Sequence, residues 1–478
     1  MNRHYDDLES IRAAGAALLD EAIRLLEPPA PDAAVTTLAR PSELARVLAS
    51  PPPAAGRPLA EVITRLRAHV ADESIRLAHP MYMGHQVCPP LPVAALADAV
   101  VSMLNQSLAV WEMSPAGSTL ERALIRWFAG LAGFGDDAEG SFVSGGSAGN
   151  LTGLLAARAA RFPDAWSRGN PRGLAVVTGR QSHYSIARAV GTMGLGTDAV
   201  VAVPTTPEGT TDPRAVADAL DALEAQDRPV LAVVGTAGST PTGAFDDLDA
   251  LADVCKARGV WFHVDGAHGA SALLSPRARH LVRGIERADS MSWDPHKMMF
   301  QPLSTAVVLV RERRHLERTF QQDAPYLFHA GEGDDPPVDA GAWTFQCSRR
   351  ADSIRLWVAL EYYGTDAIAQ LFDHTLDLAR ALHERLVAAP DFEPMHRPHS
   401  NILCFRYHPA GLDDLTLDRL QDRLRARYNA SGRGWITATT LEGRRVLRVT
   451  LINPRTEIEH LDRLIEGLRE EAKGIAVR

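Results

Sequence analysis

Ser292-Trp293-Asp294-Pro295-His296-Lys297 puts a lysine directly after a Pro-His pair and just past an apolar segment. The next three residues, Met298-Met299-Phe300, are also apolar. Burial favours a lysine that gives up its charge or becomes an imine. Upstream, His263-Val264-Asp265 places an acid at the end of a second apolar run, and the stretch between Asp265 and Lys297 has room for one helix and one strand. A third feature is Ser144-Gly145-Gly146-Ser147-Ala148-Gly149-Asn150, ahead of a helical pattern that begins near Leu151. Backbone N–H groups at a helix N-terminus, unobstructed by side chains, make a phosphate cradle. Such a turn is a weak signal alone, because glycine-rich strand-to-helix turns are common.

Together, the lysine, the acid and the glycine-rich turn suggest pyridoxal phosphate. Lys297 would form the Schiff base, and Asp265 would keep the pyridine nitrogen protonated so that the ring withdraws electrons from Cα. Asp265 has two other readings. It is a strand-end acid capping a backbone group, or part of a metal site with His263 and His268, since His263 and Asp265 share one face of a strand. Lys297 downstream favours the cofactor. Asp294 is awkward beside a phosphate and must point away, be protonated or pair with a cation. His183, just past the apolar run Leu174–Thr178, either stacks on a flat cofactor or is satisfied by a backbone carbonyl. Thr240 closes Thr236-Ala237-Gly238-Ser239-Thr240, whose hydroxyls serve the cofactor or cap the helix beginning near Asp246. Tyr326, in Ala324-Pro325-Tyr326-Leu327-Phe328, either delivers a proton in a closed site or anchors its loop.

The elements that must position these residues are legible as patterns. Short β-branched runs occur at Leu174–Thr178, Val200–Pro204, Val230–Val234, Val260–Val264 and Thr305–Val310. Helical patterns lie between several of them, including Asp247–Arg258 with Gly259 as a C-terminal stop. Continuous apolar strands separated by helices predict a mostly parallel sheet covered on both faces. Ahead of it, residues 1–90 form a proline-broken helical segment, with Leu8–Leu26 and Ile63–Leu77 at helical spacing. The large α/β domain is expected over 91–355 and a small α+β domain over 356–478. In the latter, Ser353–Ala389 reads as helix, Ile402–Tyr407 and Val446–Ile452 as strands, and about Leu415 to Ala430 as the helix between them. Residues 324–342 read as a long surface loop, a place where compact enzymes often keep function.

The composition, 23% charged and 46% hydrophobic over 478 residues, is that of a globular protein. A net charge of −9 with no long basic run argues against nucleic acid or an anionic membrane as partner. The four cysteines, Cys88, Cys255, Cys347 and Cys404, are scattered and suggest neither zinc nor a disulfide framework. No leader pattern and no long uncharged apolar run occurs, so a soluble, cytoplasmic protein is expected.

From about His79 to Pro454 the chain resembles the group II pyridoxal-phosphate-dependent amino-acid decarboxylases, which include glutamate, cysteine sulfinate, aromatic and diaminobutyrate decarboxylases. The most specific part is Asp294-Pro295-His296-Lys297-Met298-Met299, with His263-Val264-Asp265, Gly243-Ala244-Phe245-Asp246 and Gln346-Cys347-Ser348-Arg349 in order around it. The resemblance implies fold type I, the aspartate-aminotransferase-like fold, and a homodimer with active sites at the subunit interface. It implies Lys297 as the Schiff-base lysine, Asp265 as the pyridinium partner and His183 stacked on the ring. Ser147, Ala148 and His296 would contact the phosphate, with Thr240 nearby, and Tyr326 would be the catalytic-loop tyrosine. Arg448 matches an arginine that can meet a substrate carboxylate, and the pocket would include His85 and Gln86. Three positions depart from the family: Asp294 for the commoner asparagine, Ser348 for a glycine, and Gly266 with His268 for a small–small–aromatic continuation. The Asp-Gly-Ala-His-Gly pattern looks most like the diaminobutyrate branch. The implied activity is decarboxylation of a polar amino acid, diamine or acidic. The alternatives are decarboxylation-linked oxidative deamination to an aldehyde, an aromatic substrate, a non-catalytic binding protein on this fold, and a metal hydrolase built on His263, Asp265 and His268.

Overall fold

A computed structural model describes residues 7–475 apart from 31, 38, 323 and 329–338. The described chain packs as two units. One comprises Pro90–Arg380 and His396–Leu403; the other comprises the chain up to Pro89, Ala381–Met395 and the chain from Cys404 onward.

The larger unit is built on seven strands: β1 (Glu139–Val143), β2 (Ala175–Gly179), β3 (Val200–Val203), β4 (Val230–Thr236), β5 (Trp261–Asp265), β6 (Ser290–Trp293) and β7 (Ala306–Val310). Their order is β1-β7-β6-β5-β4-β2-β3. The pairs β3–β2, β2–β4, β4–β5 and β5–β6 are parallel, and only β7 runs against its neighbours. The central strands are buried along their whole length, as the uninterrupted apolar runs require. A sheet of this kind collects ligands at the carboxyl ends of its strands. Here β4, β5 and β6 end level with one another, since Asp265 is registered against Thr236 on one side and Ser292 on the other.

The helix Gly146–Arg161 lies across β5, β6 and β7 through Gly146, Gly149 and Gly153. A Cβ on these glycines would fall 2.9 Å from Asp294 Oδ2, 2.9 Å from the Ser292 Cβ and 2.5 Å from the His263 Cε1 respectively. The spacing puts all three on one helix face. Their lack of side chains lets the helix backbone close on the strand ends.

The helix Leu248–Arg258 ends where expected, with Gly259 left-handed at φ +59. The stretch Ser353–Ala388, expected as one helix, is two helices broken at Gly364, whose φ of +73 is not helical. In the smaller unit, β8 (Phe392–Pro394), β9 (Ile402–Tyr407), β10 (Thr437–Leu441) and β11 (Arg444–Thr450) make an antiparallel sheet in the order β10-β11-β9-β8. The helix Asp414–Ala430 packs on β11. Within the same unit, the segment around Met83 hydrogen-bonds to Trp435 and Thr450 and extends this layer. The helix Leu8–Leu26 has the expected bounds, whereas the one expected over 63–77 runs Leu59–Leu66 and ends in a wider turn. Among the described residues no helix is long and apolar enough to cross a membrane.

Candidate active site

Asp265 ends β5 with its side chain 6% exposed. Its carboxylate accepts from Asn150 Nδ2 at 3.0 Å and from the Ala267 N–H at 3.2 Å, and Ser292 Oγ lies 3.3 Å from it. Asn150 comes from the Gly146–Arg161 helix and Ser292 from β6, so three elements converge on this acid. Lys297 comes one short turn after β6, in Pro295–Met298. Its Nζ lies 3.0 Å from Asp294 Oδ2, with the lysine side chain 19% exposed and the aspartate 2% exposed. Asp294 is thus paired with the Lys297 cation. Its second oxygen, Oδ1, is buried with no hydrogen-bond partner among the described residues.

His296 donates from Nδ1 to the Thr305 carbonyl at 2.7 Å and turns Nε2 toward Asp294 Oδ2 at 3.5 Å. Burial pushes its imidazole below the usual histidine range. His183 sits two residues before Ser185, whose Oγ is 2.9 Å from His183 Nδ1, and burial likewise lowers its pKa. Ser185 Oγ also accepts from Asn150 Nδ2 at 2.9 Å, which ties His183 to the Asp265 cluster. At the start of the Gly146–Arg161 helix, Ala148 and Gly149 make the first bonds, both to the Gly145 carbonyl, so the N–H groups of Gly146 and Ser147 stand ahead of the helical ladder. Ser147 is exposed there and Ala148 half-buried. Thr240 lies in the turn after β4, where Ser239 and Thr242 share a 2.9 Å hydroxyl contact.

The residues present suit pyridoxal phosphate. A side-chain-free helix start, a half-buried lysine, a strand-end carboxylate and a buried carboxylate oxygen without a partner lie along one edge of one sheet. The metal reading finds less support. Both ring nitrogens of His263 are engaged, Nδ1 with Ser290 Oγ at 2.8 Å and Nε2 with Asn150 Oδ1 at 3.0 Å, and His268 Nε2 meets Asn401 Oδ1 at 2.8 Å. Among the described residues no three His, Cys, Asp or Glu side chains are placed to hold a metal ion.

Residues 76–408, well over half of the chain, match the family model described as the pyridoxal-dependent decarboxylase conserved domain. The chain belongs to the pyridoxal-dependent decarboxylases. It is 34% identical over 376 residues to the cysteine sulfinic acid decarboxylase of Mus musculus, covering 78% of this chain and 76% of that protein. It is 28% identical over 448 residues to the L-2,4-diaminobutyrate decarboxylase of Acinetobacter baumannii, covering 91% and 88%. The crystal structure of mouse CSAD superposes with a TM-score of 0.92 at 29% identity, covering 98% of this chain and all of that one. This decarboxylase is therefore a pyridoxal-phosphate-dependent carboxy-lyase acting on an amino acid, with the α/β fold of its family.

The remaining sequence-derived candidates lie on other elements. Tyr326 lies in a turn, 84% exposed, and part of the loop expected over 324–342 lies outside the described residues. Arg349 of the Gln346–Arg349 motif is structural: it grips Glu121 with two bonds of 2.6 Å, both partners buried. His85, Gln86 and Arg448 belong to the smaller unit. There, burial, followed by Arg448 and Arg425, lowers the His85 pKa, and Arg448 donates to Thr437 Oγ1 at 3.3 Å. Sequence reasoning missed Asn150, Ser185, Ser290 and Ser292. Asn150 closes the glycine-rich motif, four residues after Gly146, and that helical spacing was the available signal.

Proposed function

We propose that this decarboxylase removes the α-carboxylate of a polar L-amino acid and releases CO2 and the primary amine. The side chain is a diamine type, such as that of L-2,4-diaminobutyrate, or an acidic one. The observation that carries the assignment of roles is the gathering of Lys297, Asp265 and the Gly146 helix start along the carboxyl edge of β5 and β6. Pyridoxal phosphate, when bound, supplies the sink for the electron pair left as the Cα–carboxylate bond breaks. Lys297 would be its covalent anchor and Asp265 the partner of its ring nitrogen. His183 would cover the ring, and Ser147, Ala148, His296 and Thr240 would hold the phosphate. Tyr326 would deliver a proton to Cα, and Lys297 would then release the amine.

The substrate preference rests on His85, Gln86 and Arg448. These would line a polar pocket, with the Arg448 guanidinium suited to a carboxylate. The similarity to decarboxylases named for diaminobutyrate and cysteine sulfinate agrees with this. A homodimer is supported by uncovered apolar surface. The helix Pro92–Leu104 leaves Val100, Met103 and Leu104 exposed, and the helix Leu8–Leu26 leaves Leu8, Ile11, Leu18 and Leu25 exposed. In this reading the N-terminal helical segment packs on the partner subunit.

The deciding experiment incubates the loaded enzyme with diaminobutyrate, ornithine, lysine, glutamate, aspartate, cysteine sulfinate and the aromatic amino acids, following CO2, amine and H2O2. Amine and CO2 from a polar substrate without peroxide is the expected result. Turnover confined to aromatic substrates, or peroxide with aldehyde, overturns it. The anchor can be checked separately. The chain has only Lys256, Lys297 and Lys473, and the other two are exposed on helices. Borohydride reduction and peptide mapping should therefore place the label on Lys297.

A further inference from the structure

We infer that Asn150 and His263 are positioning residues that fix Asp265 through a one-way chain of hydrogen bonds starting at Trp261. The inference rests on the reading of Asp265 as the ring-nitrogen partner. The direction is fixed at the two ends by groups with one role each, an indole N–H that donates and a carboxylate that accepts. An indole N–H can only donate, and Trp261 Nε1 donates to Ser290 Oγ at 2.9 Å. The Ser290 hydroxyl hydrogen is thereby free to turn to His263 Nδ1, 2.8 Å away. The His263 side chain is fully buried, which favours the neutral ring, and because Asn150 turns Nδ2 to the Asp265 carboxylate it presents Oδ1 to His263 Nε2, so the one proton sits on Nε2. That proton is donated to Asn150 Oδ1 at 3.0 Å, and Ser292 Oγ donates to the same oxygen at 2.7 Å. Asn150 Nδ2 then faces outward to Asp265 Oδ2 at 3.0 Å and to Ser185 Oγ at 2.9 Å.

An amide offers two acceptor and two donor positions, and here all four are taken. Turning the Asn150 amide over would set its oxygen against a carboxylate and its NH2 against the His263 Nε2–H, so the side chain is locked in one orientation. The chain also depends on close packing. Gly153 leaves the space that the His263 ring fills, and Gly149 leaves that for Ser292. The consequence for Asp265 is a fixed rotamer and a donor polarised by the links behind it. With that donor gone, Asp265 becomes the better proton acceptor, and a proton shared with a cofactor ring nitrogen moves toward the aspartate.

The test uses holoenzyme reconstituted with pyridoxal phosphate carrying ¹⁵N in the ring, with the ¹⁵N resonance read at one fixed pH. Wild type should give the protonated-ring position. Asn150→Leu and His263→Leu should move the resonance toward the unprotonated position and lower kcat about tenfold with KM within about twofold, the scale of outer-layer partners elsewhere. His263→Gln, which keeps a donor and an acceptor on one side chain, should restore most of the signal. Ser290→Ala, which cuts only the far end, should give a smaller displacement and serves if the leucine variants do not fold. A wild-type resonance in Asn150→Leu or, failing that, in Ser290→Ala, overturns the inference. Asp265→Asn separates the two readings: an unmoved resonance there refutes the role of Asp265 itself.

Discussion

Replacing Asp294 with Asn should tighten cofactor binding while weakening the cofactor-free protein. Asp294 is almost fully buried and holds the Lys297 ammonium at 3.0 Å, while its other oxygen has no partner among the described residues. His296 is the other cationic candidate near it, and burial keeps that ring toward neutrality. A hydrogen bond between charged groups at such a site contributes about 1.5–3 kcal/mol, which Asp294→Asn should remove from the stability of the apo chain. The same pair opposes loading. An ammonium has three donors, but once Lys297 is bonded to the cofactor its nitrogen has at most one, and the phosphate adds negative charge nearby. The buried carboxylate then keeps at most one of those donors and faces added negative charge, at a cost on the scale of the pair it gives up. Asparagine has no such charge to strand. At about 1.4 kcal/mol per decade, the variant should bind pyridoxal phosphate about tenfold to a hundredfold more tightly. Fluorescence titration of apo protein gives the dissociation constant, and calorimetric melting of the apo form gives the stability loss. Equal or weaker binding by Asp294→Asn would refute the reasoning and would mean that Asp294 itself helps to hold the cofactor.

Tyr326→Phe should lower kcat by about 10²–10⁴, the usual contribution of a positioned proton donor, and raise O2 consumption and aldehyde; clean decarboxylation at full rate would remove Tyr326 from the reaction. Gly153→Ala puts a Cβ 2.5 Å from the His263 ring and should cost about 1–3 kcal/mol of stability as overpacking, read by urea unfolding; an unchanged midpoint would mean that the helix and strand ends are not in close contact. Burial pushes the His263 pKa from 6.5 to about 4. Between those values the unfolded chain takes up a proton that the folded one does not, so this contribution is complete above pH 6.5 and is lost as pH falls toward 4, by up to about 3 kcal/mol. His263→Leu should flatten that part of the stability–pH curve, and an unaltered slope would show that the ring is protonated in the folded state.

Much of the frame was legible because a buried parallel strand needs a continuous apolar run. Val230–Val234 lies within β4, and Val260–Val264 and Thr305–Val310 fall within one residue of β5 and β7 at each end. β6 escapes the pattern, although it leads directly to Lys297. Its sequence is Ser290-Met291-Ser292-Trp293, and both serines are fully buried. They point into the hydrogen-bonded cluster around Asp265, where a hydroxyl serves and an apolar side chain would not. Hydrophobic periodicity fails where a strand's buried face is polar because it works on the site. Gly364 was hidden for a related reason: one glycine in a long helical pattern signals a loss of propensity, and only the backbone shows that the helix breaks there.

The sequence by itself determined the chemistry on offer. A lysine after Pro-His, an acid at a strand end and a glycine-rich helix start are local patterns, and each reflects the bonding its residue type permits. What only the tertiary structure decided is which groups face one another. Asn150, His263 and Ser290 are far apart along the chain and meet because three glycines let one helix close on the ends of β5 and β6. Asp294 was ambiguous until its partner was known, and that partner is Lys297 at 3.0 Å. Residue types limit which hydrogen bonds and ion pairs can form, but distance and burial select among them, and those are properties of the folded chain.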